Sequence, residues 1–279
     1  MNVASALGMG EVKLKQANIE NSRFDADMLL GYVLGLSRDR LYLERERELS
    51  CFEEESFANC LKRRSEHEPL QYILGHQEFM GLKFMVDKRV LIPRWDTEVL
   101  VECWLNLVKE SSQRFPHPRV LDLCTGSGAV AIAAAYYCPA AAVTGTDISS
   151  GALEVAHYNA EKLNVQIEWR RGDFLQPAKG EQWDYILTNP PYVSNQEYEQ
   201  TAPEIKYEPS GAFLGGLDGL DFYRCLAREV RSMLAPQGRV LMEIGSTQGS
   251  AVSCLFKEQG FETEIVLDLA GRDRVVVVR

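Results

Sequence analysis

The sequence predicts an α/β fold: a doubly wound, mostly parallel sheet of seven strands with an antiparallel last strand, preceded by a small helical domain. Three observations carry this reading. Residues 1 to about 70 repeat apolar side chains at three-to-four-residue intervals with almost no strand signal. Beyond Pro118, short buried-strand runs alternate with helical stretches, as right-handed β-α-β crossovers require. Two closing β-rich runs, 262–267 and 274–278, are joined by a link too short for a crossover helix, so they should pair antiparallel.

In the first domain, expected over 1–72, the helical spacing runs through Leu7 and Leu14, then Phe24, Met28, Leu29, Val33 and Leu34, then Phe52, Phe57 and Leu61. Asp25 and Ser37 to Asp39 read as helix starts, and Gly31 and Gly35 weaken the helix they share. A domain this small hides its apolar stripes poorly, so it is expected to pack onto something or to receive a partner. A hairpin turning at Gly81 follows within a connector placed at 73–90. Asp96-Thr97-Glu98 then starts a helix running through Val108, inside a second domain placed at 91–279.

The strands of that domain are read at 119–124, 142–146, 167–170, 185–188 and 239–244, besides the two closing runs. Helices are read at 129–137, 152–163 and 222–234.

Composition narrows the function. With 279 residues, 46% hydrophobic and 25% charged, the chain has a soluble globular balance; no apolar run is long enough for a membrane span and a cytoplasmic enzyme is expected. Seven cysteines and four histidines show no metal-ligand or redox spacing, so no metal is expected. A net charge of -10 disfavours unaided binding to nucleic acid, whose affinity is mostly phosphate neutralisation. The basic clusters Lys62-Arg63-Arg64 and Arg170-Arg171 read as ordinary solvated faces.

The chemistry concentrates at strand ends. After Trp183 to Leu187 comes Thr188-Asn189-Pro190-Pro191-Tyr192. Two prolines give a stiff loop with carbonyl acceptors, flanked by an amide and an aromatic ring. Such a loop suits a flat group bearing an NH2: the Asn189 side-chain oxygen and the Pro190 carbonyl take its hydrogens while Tyr192 stacks on its plane. The bland alternative is a turn. Upstream, Cys124-Thr125-Gly126-Ser127-Gly128 sits between first strand and first helix, where glycines let the backbone approach a nucleoside, and Ala131 removes the third glycine of a dinucleotide fingerprint. Asp147 ends the second strand, at the distance where a carboxylate grips ribose hydroxyls. Gly172-Asp173-Phe174 ends the third, with an acceptor for an adenine amino group and a ring to stack on it.

With these motifs in this order, the chain resembles the class I S-adenosylmethionine-dependent methyltransferases, and more narrowly the release factor glutamine methyltransferase (HemK or PrmC) family. The narrower resemblance rests on Val90-Leu91-Ile92-Pro93-Arg94 with Thr97-Glu98, Tyr207-Glu208-Pro209, Gly215 to Tyr223, Glu243-Ile244-Gly245 and Asp268 to Arg274. It implies a Rossmann-like methyltransferase sheet, S-adenosyl-L-methionine as cofactor with S-adenosyl-L-homocysteine as product, and methylation of the side-chain amide nitrogen (N5) of the glutamine in the Gly-Gly-Gln motif of peptide-chain release factors. It further implies catalytic roles for Asn189, Pro190 and Tyr192, with Pro191 completing the substrate loop. The cofactor would be held by Cys124, Thr125, Gly126, Ser127, Gly128, Asp147, Asp173, Phe174 and Asn189. The helical domain would dock the release factor, and a monomer is expected. The competing reading of the same loop is an N6-adenine or N2-guanine nucleic acid methyltransferase acting on a flipped base. Two departures stand out. Cys124 occupies a position where many members have glycine, and so should need a negative φ. Trp95-Asp96 replaces the more usual Pro-Glu or Pro-Asp.

Overall fold

A computed structural model describes residues 1–111 and 113–279. Contacts divide these into two compact units: Met1–His76 with Ala202–Tyr207, and Gln77–Thr201 with Glu208–Arg279.

The first unit contains α1 (Val3–Gln16), α2 (Ser22–Leu34), α3 (Arg38–Leu43), α4 (Cys51–Ser65) and α5 (Leu70–Leu74). Its core gathers Leu7 and Leu14 of α1, Leu29 and Leu30 of α2, and Phe57 and Leu61 of α4. Two of the apolar residues assigned by spacing face solvent instead: Phe24 is 43% and Phe52 77% exposed. Asp25 is not a helix start but a buried acid inside α2, whose N-cap is Asn21. The expectation of a solvated face at Lys62-Arg63-Arg64 also fails at Arg64. Its Nε donates to Asp25 at 2.7 Å and its Nη2 to Glu204 at 3.1 Å, and the side chain is buried. Helical periodicity explains this: of three consecutive residues on α4, one points inward.

The second unit opens one residue into the hairpin of β1 (His76–Phe79) and β2 (Leu82–Met85), where Met80 and Gly81 both take positive φ, as a two-residue hairpin turn requires. After α6 (Glu98–Glu110), strand and helix alternate: β3 (Arg119–Leu123), α7 (Ala129–Tyr137), β4 (Ala142–Asp147), α8 (Ser150–Lys162), β5 (Glu168–Arg171) and β6 (Trp183–Thr188). The short α9 (Asn195–Glu199) and α10 (Asp221–Met233) lead to β7 (Leu234–Glu243), α11 (Gly249–Glu258), β8 (Thr263–Leu267) and β9 (Asp273–Val278). The seven strands of the large sheet run in the order β5-β4-β3-β6-β7-β9-β8. Neighbours from β5 to β7 are parallel, and β9 is antiparallel to both β7 and β8.

Each strand alternates its side chains between two cores. Val275 and Val277 enter the layer containing Trp104 of α6 and Ile132 of α7, while Val276 and Val278 enter the layer of Tyr223 of α10 and Phe256 of α11. In β6, Tyr185 and Leu187 join the first layer and Ile186 the second; Trp183 also reaches the second, its alternation reset by a register shift between Trp183 and Tyr185. The chain leaves β3 toward β4 and β5, then returns across to β6. This reversal puts a crevice beyond the carboxyl ends of β3 and β6, where open α/β sheets bind their ligands.

Candidate active site

A cavity of about 420 Å³ opens at those carboxyl ends. Cys124, Thr125, Gly126 and Ser127 after β3, Asp147 at the end of β4, Asp173 and Phe174 after β5, and Asn189 and Pro191 after β6 all line it. Gly128, Pro190 and Tyr192 do not. Gly128, at φ +81, has a packing role: an added Cβ would lie 2.9 Å from Ile132 and 3.1 Å from both Ala156 and Trp169. Gly126 differs, with φ +55 and open space where a Cβ would stand. Cys124 overturns the expectation of negative φ, because its φ is +60. The turn geometry that glycine would adopt freely is imposed here on a residue with a Cβ.

Asp147 holds the glycine turn. Its Oδ2 accepts the Gly126 NH at 2.9 Å and its Oδ1 the Ser149 NH at 2.9 Å. Burial pushes its pKa up, against the pull of the Ser149, Gly126 and Ile148 NH groups. Beneath the turn, the buried Asp122 accepts the Thr125 hydroxyl at 2.5 Å and the Ala131 NH at 3.2 Å, and burial raises its pKa to about 7. Asn159 of α8, also buried, ties the turn to the hairpin: its Nδ2 donates to the carbonyls of Ser127 at 3.0 Å and Met85 at 3.1 Å, and its Oδ1 accepts the Met85 NH at 2.8 Å. Phe174 meets Phe222 of α10 with ring centroids 3.8 Å apart.

At the substrate loop, Asn189 Nδ2 donates to Thr97 Oγ1 at 3.0 Å, which leaves the side-chain oxygen to accept from a ligand. Tyr192 turns away from the cavity: its hydroxyl donates to Glu243 Oε1 at 3.0 Å and its ring packs on the second core layer. The opposite wall comes from Arg89, Pro93 and Arg94, with Pro209, Leu214 and Phe222. Arg94 ion-pairs with the buried Glu208, whose other oxygen accepts the Ile92 NH at 2.8 Å. Burial raises the Glu208 pKa, opposed by the Arg94 charge.

Sequence reasoning missed Thr97, Asp122, Asn159 and Phe222 as site residues. Thr97 and Phe222 lay inside motifs already noted for the resemblance, and Asp122 inside the first strand; for Asn159 the only signal was a polar residue on the inner face of a helix. Among the described residues no group of three or more His, Cys, Asp or Glu side chains is placed to hold a metal, and no helix is long and apolar enough to cross a membrane.

The residues present suit a nucleoside-bearing cation. A glycine at positive φ lets the backbone approach, carboxylates close two strand ends, and the Phe174 ring lines the same cavity. Comparisons agree with this reading. The model of the PrmC N-terminal domain matches residues 5–75, and that of the methyltransferase small domain matches residues 97–206. A solved methyltransferase from Pyrococcus furiosus shares the fold, with TM-score 0.52 and 17% identity over 72% of this chain and 89% of its own. Sheet, cavity and domain matches together define an S-adenosylmethionine-dependent methyltransferase.

The relatives narrow the class. A release factor glutamine methyltransferase of Moorella thermoacetica is 41% identical over 278 residues, covering 98% of this chain and 97% of its own. That of Geobacter sulfurreducens is 40% identical over 266 residues, covering 94% and 91%. The chain belongs to the release factor glutamine methyltransferase family.

Proposed function

We propose that the chain transfers a methyl group from S-adenosyl-L-methionine to the N5 side-chain amide nitrogen of the glutamine in the Gly-Gly-Gln motif of peptide-chain release factors, and so modulates translation termination. The observation that carries this is Asn189 at the cavity wall, its NH2 group held by Thr97 and its oxygen free to accept. A primary amide offers two N–H donors; Asn189 Oδ1 is the acceptor at the cavity wall, and the second acceptor is assigned to the Pro190 carbonyl of the same stiff loop, although Pro190 lies outside the cavity lining.

When bound, the cofactor supplies an electrophilic methyl on a sulfonium that departs as a neutral thioether. The protein's task is then positioning. An amide nitrogen is a weak nucleophile, and fixing both of its hydrogens aims the lone pair and removes the entropy of finding the geometry. On transfer the nitrogen would release one of those protons to water, which carries away the positive charge that the sulfonium brought; the Asn189 and Pro190 oxygens orient the N–H groups and are too weakly basic to keep it. Asp147 is assigned to the ribose hydroxyls, Asp173 to the adenine amino group and Phe174 to the ring face, while Cys124 to Ser127 line the turn against the cofactor. Tyr192 braces the loop through Glu243 instead of stacking on the substrate. The helical unit is assigned to docking the release factor.

The test is transfer of labelled methyl to purified release factors with mass localisation, using a Gln→Ala variant of the Gly-Gly-Gln motif and total RNA as controls. Label on that glutamine, absent from the variant, is the expected result. Label on RNA alone would turn the assignment to a nucleic acid methyltransferase.

A further inference from the structure

We propose that Trp95 is a docking platform for the substrate main chain: its indole, at the rim of the cavity, takes the peptide planes of the glycines beside the acceptor glutamine and so sets the affinity for the release factor. The inference rests on the substrate reading given above.

Of the four tryptophans, Trp104 and Trp183 are buried and Trp169 is half-buried, whereas Trp95 is 74% exposed. An indole carries a large apolar face that a packed fold ordinarily covers. Among the described residues this one has no hydrogen-bond, ring or cation-π partner. Its backbone, by contrast, is held on both sides. Trp95–Thr97 form a short 3-10 turn closed by the Thr97 NH on the Arg94 carbonyl at 3.1 Å. On one flank Arg94 ion-pairs with the buried Glu208. On the other, Asp96 ion-pairs at 3.2 Å with Arg274, which also holds Asp268 at 3.1 Å. The ring therefore stands on a fixed base, which reduces the entropy lost when a partner covers it.

Position names the occupant. Arg94 and Thr97 line the cavity, while Trp95 between them stands outside it. Thr97 also accepts from the Asn189 NH2 at 3.0 Å, so this turn borders the loop assigned to the acceptor amide. A glutamine side chain that engages Asn189 leaves the residues beside it at the rim, next to the indole. In the proposed motif these include two glycines. Without a Cβ, a glycine lets its peptide plane lie flat on a ring, with Cα–H and N–H groups toward the negative π face. A bulkier neighbour would hold the main chain off the ring. Proline, the more usual residue at this position, offers no π face. The platform touches none of the reacting atoms, so it should act on KM and leave kcat unchanged.

The experiment measures methylation of a purified release factor by wild type, Trp95→Ala, Trp95→Pro and Trp95→Phe. KM for the release factor should rise about tenfold in the Ala and Pro variants and less in Phe, with kcat and cofactor Kd changed by no more than about twofold. Replacing the two motif glycines by alanine should raise KM for wild type but add little to the loss in Trp95→Ala, since both changes remove the same contact. A second readout uses the full chain labelled with 5-fluorotryptophan. The fluorine resonance that is missing from Trp95→Phe should shift on adding unlabelled release factor, and should stay in place with S-adenosyl-L-homocysteine alone or at raised concentration of the chain alone. Unchanged KM in Trp95→Ala, additive losses between that variant and the glycine replacements, or a shift produced by S-adenosyl-L-homocysteine or self-association alone would each overturn the proposal. If wild type methylates no release factor, the proposed function falls and the platform with it; methylation with unaltered KM in Trp95→Ala removes the platform and leaves that function standing.

Discussion

The NH of Gly126 points at the carboxylate of Asp147 from 2.9 Å, so the acid that ends β4 also pins the backbone turn that ends β3. The Ser149 NH, at 2.9 Å, holds the other oxygen. With both oxygens anchored, the carboxylate has a fixed direction before any ligand arrives, and its remaining lone pairs face the cavity it lines.

Replacing Asp147 by Ala should weaken S-adenosylmethionine binding by about 2 kcal/mol, in the range of charge-assisted hydrogen bonds, and lower thermal stability as well because Gly126 and Ser149 lose their acceptor. Asp147→Asn should fall between, since an amide oxygen replaces one acceptor of two. Because burial raises the Asp147 pKa, wild-type affinity should decline with acidification at a higher pH than for an exposed carboxylate. Calorimetry across pH measures both effects. Unchanged affinity in the Ala variant would remove the carboxylate from the nucleoside site.

Cys124 sits at φ +60, where a side chain bearing a Cβ costs about 1–2 kcal/mol. Cys124→Gly relieves that strain but adds unfolded-chain entropy, for a net gain of about 1 kcal/mol at most. The expected outcome is a melting temperature higher by about 2–4 °C with cofactor affinity retained. A lower melting temperature would mean that thiol packing outweighs the strain. Desolvation also raises this thiol's pKa well above its usual value, so mass spectrometry should find Cys124 alkylated more slowly than the exposed Cys51, Cys225 and Cys254.

The alternating strands were legible because each buries two faces and ends on residues with little propensity for strand: Asp147, Gly172 and Asn189 all mark strand ends in the composition itself. Helix α11 was not legible. It starts at Gly249 after Gln248, with no side-chain cap, and its buried apolar residues reduce to Val252 and Phe256, too few for a periodic stripe. The site shows the same division. Residues that follow β3 to β6 directly were found from local motifs, whereas Thr97, Asn159 and Phe222 are distant in sequence, and only packing brings Thr97 and Phe222 to the cavity and Asn159 to the turn that borders it. Tyr192 shows the limit of motif reasoning: its ring type suggested stacking, but a buried acceptor at Glu243 claims its hydroxyl.

Arg64 tests the cost of burying charge in the helical unit. It bridges Asp25 and Glu204, and its Nη1 donates to the Glu68 carbonyl at 3.1 Å. Burial raises the Asp25 pKa, and the Arg64 hydrogen bond and charge oppose that rise. Arg64→Leu should destabilise by about 3 kcal/mol, because it strands Asp25 without compensation. Combining Arg64→Leu with Asp25→Leu should recover a large part of that loss. Denaturant unfolding of the single and double variants gives the comparison; purely additive losses would mean that the pair is not coupled.

Asp122 makes the pH dependence of stability a test of the buried site. In the folded chain its pKa is raised to about 7 from an ordinary carboxylate value of 3.8, the largest cause being burial. Between those values the folded state keeps a proton that the unfolded state has released. More protons bound in the folded state means stability declines as pH rises, by at most about 1.4 kcal/mol per pH unit for one group. The contribution is therefore fully present below about pH 4 and lost by the time pH passes about 7. Asp122→Asn cannot titrate, yet its amide oxygen can still accept from Thr125 and Ala131. Relative to wild type, the variant should gain stability steadily from about pH 4 to pH 7 and level off above it, as read from paired thermal melts without cofactor. A constant difference across that range would place the Asp122 pKa near that of an ordinary carboxylate and show that water reaches beneath the glycine turn.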